Sequence, residues 1–302
     1  MWTLRAAIAL ALGFASRLNA ADPFEFKDGD RVVLLGSTLI EREQKSGYWE
    51  LMLTLKNKDK AVTFRNLGWS GDTVFGEARN GFDESPKGFE RLVSLTKELK
   101  PTVVVVCYGH NESFEGKAGV PKFTAGLEKL LDAIAPTKAR VVLMSPNPFE
   151  KEGPITDPGS RNKNLALYRD AIKEVAEKRA FEFVDLFELL QPLSKNGGGS
   201  GWLTDNGIHL TPVGYKISAL AFAPDHQPPK HYPPESDSER ALLAKIVEKN
   251  QLFFHRWRPQ NQTYLFGFRK HEQGQNAKEV AEFDPLVAKA EAEIAELKKA
   301  LK

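Results

Sequence analysis

Short apolar runs alternate with amphipathic stretches over the first two thirds of the chain. The runs have the length and continuous hydrophobicity of strands that are buried on both faces of a parallel sheet. We predict strands at residues 31–36, 62–67, 103–107, 140–145 and 181–186. Apolar residues at helical spacing predict helices at residues 41–55, 88–99, 123–135 and 162–179. This alternation is typical of a three-layer α/β/α fold with a doubly wound parallel sheet.

Polar or glycine-bearing segments follow the first three predicted strands. They are Gly36-Ser37-Thr38, Ser70-Gly71-Asp72 and Gly109-His110-Asn111-Glu112. In doubly wound sheets the functional groups lie in the loops beyond the carboxyl ends of the strands. Loops at this edge are usually polar, so these three segments alone do not define a site.

A fourth segment, residues 203–215 (LTDNGIHLTPVGY), places His209 in a short loop before a helix. The Asp-Asn pair before it favours a turn, and Gly207 allows unusual dihedral angles. Thr211 followed by proline is typical of a helix N-cap and first helical residue. A neutral imidazole accepts a proton near neutral pH, and a nearby carboxylate could hold its other nitrogen. The alternative is a loop histidine whose hydrogen bonds are satisfied by backbone.

In their order and spacing, these four segments resemble the four sequence blocks of the SGNH/GDSL hydrolases, over roughly residues 30–222. The resemblance implies a flavodoxin-like sheet and ester hydrolysis. It places Thr38 where the family has its nucleophilic serine. It implies that Gly71 contributes a backbone N–H, and Asn111 a side-chain amide, to an oxyanion hole. It implies His209 as the base, in a loose match to the block Asp-x-x-His, and it implies no metal or organic cofactor.

The nucleophile position departs from the family pattern. A threonine hydroxyl attacks a carbonyl if His209 takes its proton, but the extra methyl group restricts the rotamer and crowds the ester. Ser37 is adjacent, yet neighbouring side chains on a strand-to-helix turn point in different directions. We therefore prefer Thr38 to Ser37 as the candidate nucleophile.

The acid position departs as well, since Asn206 lies three residues before His209 and Asp205 lies four before it. An asparagine could orient the imidazole through its carbonyl, but it would not stabilise the imidazolium with a full charge. Because Gly207 lets the loop bring Asp205 round, we predict that Asp205 orients His209. The alternative is that Asp205 only caps the turn.

The first twenty residues carry Arg5, a short apolar run and small residues at the end. This pattern is typical of a secretory signal peptide cleaved after Ala20 or Ala21, with a retained membrane anchor as the alternative. We therefore predict a signal peptide (1–20), an α/β domain (21–225) and a C-terminal helical and irregular extension (226–302). The predicted location is secreted or periplasmic.

The charge balance points to no polyanionic partner. The chain has 42 Lys and Arg against 40 Asp and Glu, and two of the arginines lie in the first twenty residues. The remainder is therefore neutral, which does not favour nucleic acid or an anionic membrane. Cys107 is the only cysteine, so there is no intrachain disulfide, and it is expected to pack as a small hydrophobe.

Some features border the predicted site. Trp69 and Trp202 adjoin the second and fourth segments, where they could stack on a sugar ring or simply pack. The glycine-rich residues 197–201 are expected to be a flexible flank of the His209 loop. The loop of residues 147–161 is expected to border the cleft and shape the leaving-group or acyl pocket.

The extension begins with a proline-rich linker, followed by a predicted helix at residues 238–249. Residues 252–271 interleave aromatic and basic side chains. They could bind an acidic or sugar polymer, or the ester substrate, but we prefer an extension strapped across the α/β domain by its aromatics. The tail from residue 284 predicts a helix that packs on its own domain or on one partner.

Together these features predict a secreted hydrolase acting on a small-molecule or glycan ester, with acyl groups on carbohydrate as the expected substrates. No stable membrane insertion is predicted, and the oligomeric state is left open. The alternative is a non-catalytic carbohydrate-binding protein that keeps the cleft but has lost the nucleophile. A third hypothesis is a protein that docks a partner through its aromatic and basic extension.

Overall fold

A computed structural model describes residues 25–196, 203–222 and 235–301 of the chain. Within these ranges five strands form one parallel sheet, in the order β2-β1-β3-β4-β5. The strands are β1 (Arg31–Gly36), β2 (Thr63–Asn66), β3 (Val103–Cys107), β4 (Arg140–Met144) and β5 (Glu182–Val184). The predicted α/β fold is confirmed. In this order the connections reverse direction between β1 and β3, which opens a crevice at the carboxyl ends of these two strands.

Helices cover both faces of the sheet and continue into the C-terminal extension. They are α1 (Thr38–Ser46), α2 (Tyr48–Lys56), α3 (Pro86–Glu98), α4 (Gly116–Ile134), α5 (Pro158–Arg179), α6 (Leu186–Asn196), α7 (Pro212–Ser218), α8 (Asp237–Trp257), α9 (Gln262–Leu265), α10 (Lys270–Gln273) and α11 (Phe283–Ala300). One apolar core lies between the sheet and α3, α4 and α5, and a second lies under α1, α2, α6 and α7. All five residues of β3 are buried, because this central strand is covered on both faces.

The helix predicted at residues 41–55 is two helices, because Gly47 interrupts it. Gly47 has φ +68°, its N–H ends α1 by donating to the carbonyl of Glu43 (2.7 Å), and its own carbonyl begins α2. A Cβ there would lie 3.0 Å from Leu243 of α8. The hydrophobic spacing runs on across this break, so the periodicity did not reveal it. The break lets α8 approach closely.

Two further helices also differ from the prediction. Helix α6 was not predicted, and α4 begins seven residues earlier than expected, at Gly116. The predicted helix entry after the histidine loop is confirmed, since the Thr211 side chain accepts a hydrogen bond from the Gly214 N–H at 3.0 Å.

The extension packs tightly against the α/β domain. Helices α8 and α11 pair with each other, and α8 also contacts α1, α2 and β2. The Nζ of Lys249 on α8 is fully buried, where it lies 2.8 Å from Glu50 and donates to the Phe64 carbonyl at 3.1 Å. These contacts fit the strapped extension that we preferred.

Several sequence predictions lie outside the described residues: the signal peptide, the glycine-rich residues 197–201, Trp202 and most of the proline-rich linker. Among the helices that are described, none combines the length and hydrophobicity needed to span a membrane.

Candidate active site

Thr38 stands at the carboxyl end of β1, as the first residue of α1. Its Oγ1 accepts a hydrogen bond from the backbone N–H of Gly71 at 3.1 Å. Gly71 has φ +76°, a backbone conformation that suits glycine, and this turn aims its N–H at the hydroxyl. Ser37 is buried, whereas Thr38 is partly exposed. Of the two hydroxyls, it is therefore that of Thr38 which meets a candidate oxyanion donor.

Asn111 lies beside the same turn. Its Nδ2 donates to the backbone carbonyl of Asp72 at 2.7 Å, which leaves one amide hydrogen free of that bond. The Asp72 carboxylate is fully buried against Arg79 (Oδ2 to Nε, 2.6 Å) and accepts from the Tyr108 hydroxyl at 3.1 Å. Burial raises the pKa of Asp72, while the Arg79 charge acts in the opposite direction. The structure thus brings Thr38, Gly71 and Asn111 to one edge of the sheet.

Glu112 joins the loops that carry these donors. Its Oε1 accepts from the Val74 N–H and its Oε2 accepts from the Gly109 N–H, both at 2.9 Å. Burial raises the pKa of Glu112 to about 7, although these backbone bonds favour the charged form. Sequence reasoning assigned this residue no role. The only signal was a carboxylate directly after Gly-His-Asn.

His209 occupies a tight turn whose ends are paired, since the Asp205 N–H donates to the His209 carbonyl at 2.9 Å. Gly207 adopts φ +80°, as expected, and a Cβ there would lie 2.7 Å from the Glu150 carbonyl oxygen. Asn147 donates from Nδ2 to the Ile208 carbonyl at 2.8 Å. The loop of residues 147–161 therefore packs against the histidine turn.

Asn206 is the residue that contacts the imidazole. Its Oδ1 accepts from the N–H groups of Ile208 (3.1 Å) and His209 (3.0 Å), and its Nδ2 lies 3.0 Å from His209 Nδ1. Because two backbone donors hold Oδ1, the amide group presents Nδ2 to the ring. A donor at that position makes Nδ1 an acceptor and leaves the proton of the neutral imidazole on Nε2.

Asp205 points elsewhere, which differs from our preference for it as the residue that orients His209. Its Oδ2 lies 2.5 Å from Nη2 of Arg42, on α1 one turn after Thr38. The reason is local: the turn directs the Asn206 side chain inward, so the preceding side chain points to α1. Partial burial and then the Arg42 charge lower the pKa of His209, with Asp205 opposing them. These effects favour the neutral imidazole of His209.

The histidine turn and the start of α1 are held together. Besides the pair of Arg42 and Asp205, the Tyr215 hydroxyl on α7 donates to the Leu39 carbonyl at 2.7 Å. Among the described contacts no hydrogen bond joins Thr38 to His209. Catalytic hydrogen bonds often form only once substrate is bound.

A family model, the GDSL-like lipase/acylhydrolase family, matches residues 39–217, which is more than half of the chain. The chain belongs to this family. It is thus an ester-hydrolysing enzyme by family. Among curated proteins, none matches the chain.

Solved structures share the fold of this acylhydrolase. A catalytic mutant of an acetylxylan esterase from Geobacillus stearothermophilus superposes with a TM-score of 0.53 at 19% identity, covering 67% of this chain and 96% of that one. An alpha/beta hydrolase from the metagenome of Lake Arreo, Spain, gives 0.51 at 20% identity, covering 66% and 95%. The acetyl xylan esterase AlAXEase gives 0.51 at 17% identity, covering 65% and 98%.

An aromatic wall borders His209 in this acylhydrolase. The His110 ring packs on Phe149 at 4.4 Å between centroids, Phe149 meets the exposed Phe114 at 5.8 Å, and Arg161 lies 5.1 Å from the Phe114 ring. Burial, and then the charge of His209, lower the pKa of His110 to about 4. His110 is therefore neutral, and sequence reasoning gave it no part.

Two further sequence expectations can be placed in the structure. The Arg258 guanidinium lies 3.6 Å from the Trp69 ring centroid, so that face of the ring is covered and cannot stack on a sugar. Cys107 is buried and its pKa is raised by burial, as suits a packed thiol. Across the described ranges, no group of three His, Cys, Asp or Glu side chains could hold a metal ion.

Proposed function

We propose that the protein is a secreted esterase that removes acyl groups, with O-acetyl groups on carbohydrate as its preferred substrates. The observation that carries the proposal is the hydrogen bond from the Gly71 N–H to Thr38 Oγ1, with Asn111 beside it. This contact places a hydroxyl beside the hydrogen-bond donors that would stabilise a developing oxyanion. The names of the acetylxylan esterases of the same fold support acetylated carbohydrate as the substrate class.

In the proposed reaction, Thr38 Oγ1 attacks the ester carbonyl carbon and His209 Nε2 takes the hydroxyl proton. The carbonyl oxygen becomes an oxyanion, stabilised by the Gly71 N–H and Asn111 Nδ2, and each such donor contributes about 3 to 4 kcal/mol. Collapse breaks the bond to the alcohol, which leaves with the proton from His209. Water, deprotonated by His209, then attacks the acyl-threonine and releases the free acid.

This reaction requires a rearrangement at Nδ1. Nε2 accepts the Thr38 proton only if Nδ1 carries a hydrogen, and that hydrogen needs an acceptor. Asn206 Oδ1 already accepts two backbone N–H groups, so the available acceptor is the Asp205 carboxylate, once it leaves Arg42. We therefore keep Asp205 as the orienting acid in the reactive state.

The test is the initial rate of acetate release from a chromogenic acetate ester and from acetylated xylo-oligosaccharides. Thr38→Ala should abolish both rates, since loss of a triad nucleophile costs on the order of 10⁶-fold in turnover. Thr38→Ser should equal or exceed the wild type, because it removes the crowding methyl group. Ser37→Ala is the matched control and should keep its activity. Full activity in Thr38→Ala would overturn the proposal.

One observation favours a second candidate, a carbohydrate-binding protein with a silenced site. The Asn206 amide donates a hydrogen bond to Nδ1 of His209, which makes Nε2 a donor rather than the base. In addition, the threonine is a hindered nucleophile. Such a protein would bind acetylated xylo-oligosaccharides in calorimetry without releasing acetate. It would acquire turnover in the double variant Thr38→Ser/Asn206→Asp.

A further inference from the structure

The segment directly after α8 reaches the start of the nucleophile helix. Nη1 of Arg258 lies 2.6 Å from Oε2 of Glu41, in the first turn of α1. Both side chains are mostly buried. Arg258 lies outside the residues matched by the family model, so this ion pair joins the extension to the family domain.

The same carboxylate oxygen holds the loop that carries the oxyanion donor. Oε2 of Glu41 accepts a hydrogen bond from the Ser70 N–H at 2.7 Å, and Ser70 directly precedes Gly71. One oxygen atom therefore joins the cation of the extension, the helix that starts at Thr38, and the turn that aims the Gly71 N–H.

The side chain of the preceding residue is held as well. The Arg258 guanidinium lies over the Trp69 ring at 3.6 Å, and Trp257 meets that ring edge-on at 6.0 Å. The Trp69 N–H donates to the Gly36 carbonyl at 3.0 Å. A cation over an aromatic face at this distance is attractive, and a planar guanidinium both stacks and pairs with a carboxylate.

We propose that Arg258 is a positioning residue for ester hydrolysis, which holds the Gly71 N–H where the oxyanion forms. Arg258 has a second effect, because it neutralises Glu41 close to the place where negative charge develops. The inference rests on the proposed function. It makes the C-terminal extension part of the catalytic unit.

The test compares Arg258→Ala with Arg256→Ala in the full-length protein. Arg256 is two residues away and pairs with Asp284 (Nε to Oδ1, 2.8 Å). The variant Arg256→Ala therefore loses an ion pair within the extension that does not contact the site. Arg258→Ala should lower kcat about 10- to 100-fold with little change in KM, since small misplacements at a site cost this much. Its thermal midpoint should fall no further than in Arg256→Ala.

Amide hydrogen exchange of residues 68–74 gives a readout that needs no turnover. Exchange there should be faster in Arg258→Ala than in the wild type and in Arg256→Ala. This comparison decides the inference even if the wild type hydrolyses no ester, a result that would overturn the proposed function alone. If residues 68–74 exchange in Arg258→Ala at the same rate as in the wild type, the positioning role is overturned. An equal loss of activity in Arg258→Ala and Arg256→Ala would overturn it as well.

Arg258→Lys guards against a failure of the alanine variant to fold. Lysine keeps the charge near Glu41 but loses the planar stack on Trp69, so kcat should lie between those of the wild type and Arg258→Ala. Glu41→Gln removes the same ion pair through its other partner. The double variant Glu41→Gln/Arg258→Ala should lose less activation free energy, measured from kcat, than the sum of the losses in the two single variants. Strict additivity in this cycle would contradict the proposed coupling.

Discussion

Nδ2 of Asn206 lies 3.0 Å from Nδ1 of His209, and the backbone of the same turn fixes the amide in that orientation. In the resembled block Asp-x-x-His an aspartate stands at this position, where its carboxylate would accept a hydrogen bond from the Nδ1–H. The turn therefore holds His209 with the proton of the neutral imidazole on Nε2. This arrangement determines what the next two substitutions should do.

Asn206→Asp should raise kcat by about tenfold or more, because the opposite replacement lowers turnover about 10⁴-fold in a comparable triad. One aspartate oxygen keeps the two backbone bonds, and the other accepts from Nδ1. The new charge should also raise the pKa of His209, so the acidic limb of the kcat/KM profile should move to higher pH. Asn206→Ala is the control and should lower the rate. An unchanged kcat in Asn206→Asp would show that the tautomer does not limit turnover.

Arg42→Gln should also raise kcat, because it releases Asp205 for Nδ1. Arg42 is one cause of the lowered pKa of His209, so the acidic limb should again move to higher pH. Lys45→Gln, an exposed position on the same helix, is the matched control and should leave the profile unchanged. Adding Asp205→Asn should remove the gain. If Arg42→Gln instead loses activity with an unmoved profile, Arg42 serves the substrate directly.

Glu112 should make stability depend on pH. Its pKa is about 7 in the folded protein and near 4.5 when exposed, so the folded state holds the proton more tightly between these values. Stability should therefore fall as pH rises from 4.5 through 7, by about 3 kcal/mol in total. Urea unfolding at pH 5 and 8 measures this change.

Glu112→Gln is the matched variant for that measurement. It cannot ionise, so the fall between pH 5 and 8 should be much smaller than in the wild type. At pH 5 the wild-type carboxyl is protonated, but both of its oxygens can still accept, whereas the NH2 of the glutamine cannot accept from the second backbone N–H. The variant should therefore lose about 1 to 3 kcal/mol at pH 5. Parallel pH curves for the two proteins would show that Glu112 is not the group responsible.

The sequence predicted what depends on neighbouring residues. Buried strands are specified locally by the apolar run at residues 31–36 and by the valines of residues 103–107. A helix start is specified in the same way by Thr211 followed by Pro212. The polar segments after those strands followed from the topology. Gly47 was missed, because hydrophobic spacing continues across the left-handed residue that ends α1.

The finer structure of the site depends on contacts that no local pattern encodes. Arg42 and Asp205 are 163 residues apart, and Arg258 and Glu41 are 217 apart. The choice between Asp205 and Asn206 depended on which side chain the turn directs inward. That in turn depended on two backbone N–H groups bonding to the Asn206 amide oxygen.

The buried pair of Lys249 and Glu50 should account for much of the attachment of the extension. Lys249→Met leaves Glu50 buried without its cation, which should destabilise the protein by about 3 to 5 kcal/mol in urea unfolding. Lys245→Met on the same helix removes pairs with Glu248 and Glu293 at the surface and should cost much less. Glu50→Leu combined with Lys249→Met should recover most of the loss, because apolar side chains replace a buried pair well. Equal losses of unfolding free energy in Lys249→Met and Lys245→Met would contradict this prediction, because the buried pair would then matter no more than the surface pairs.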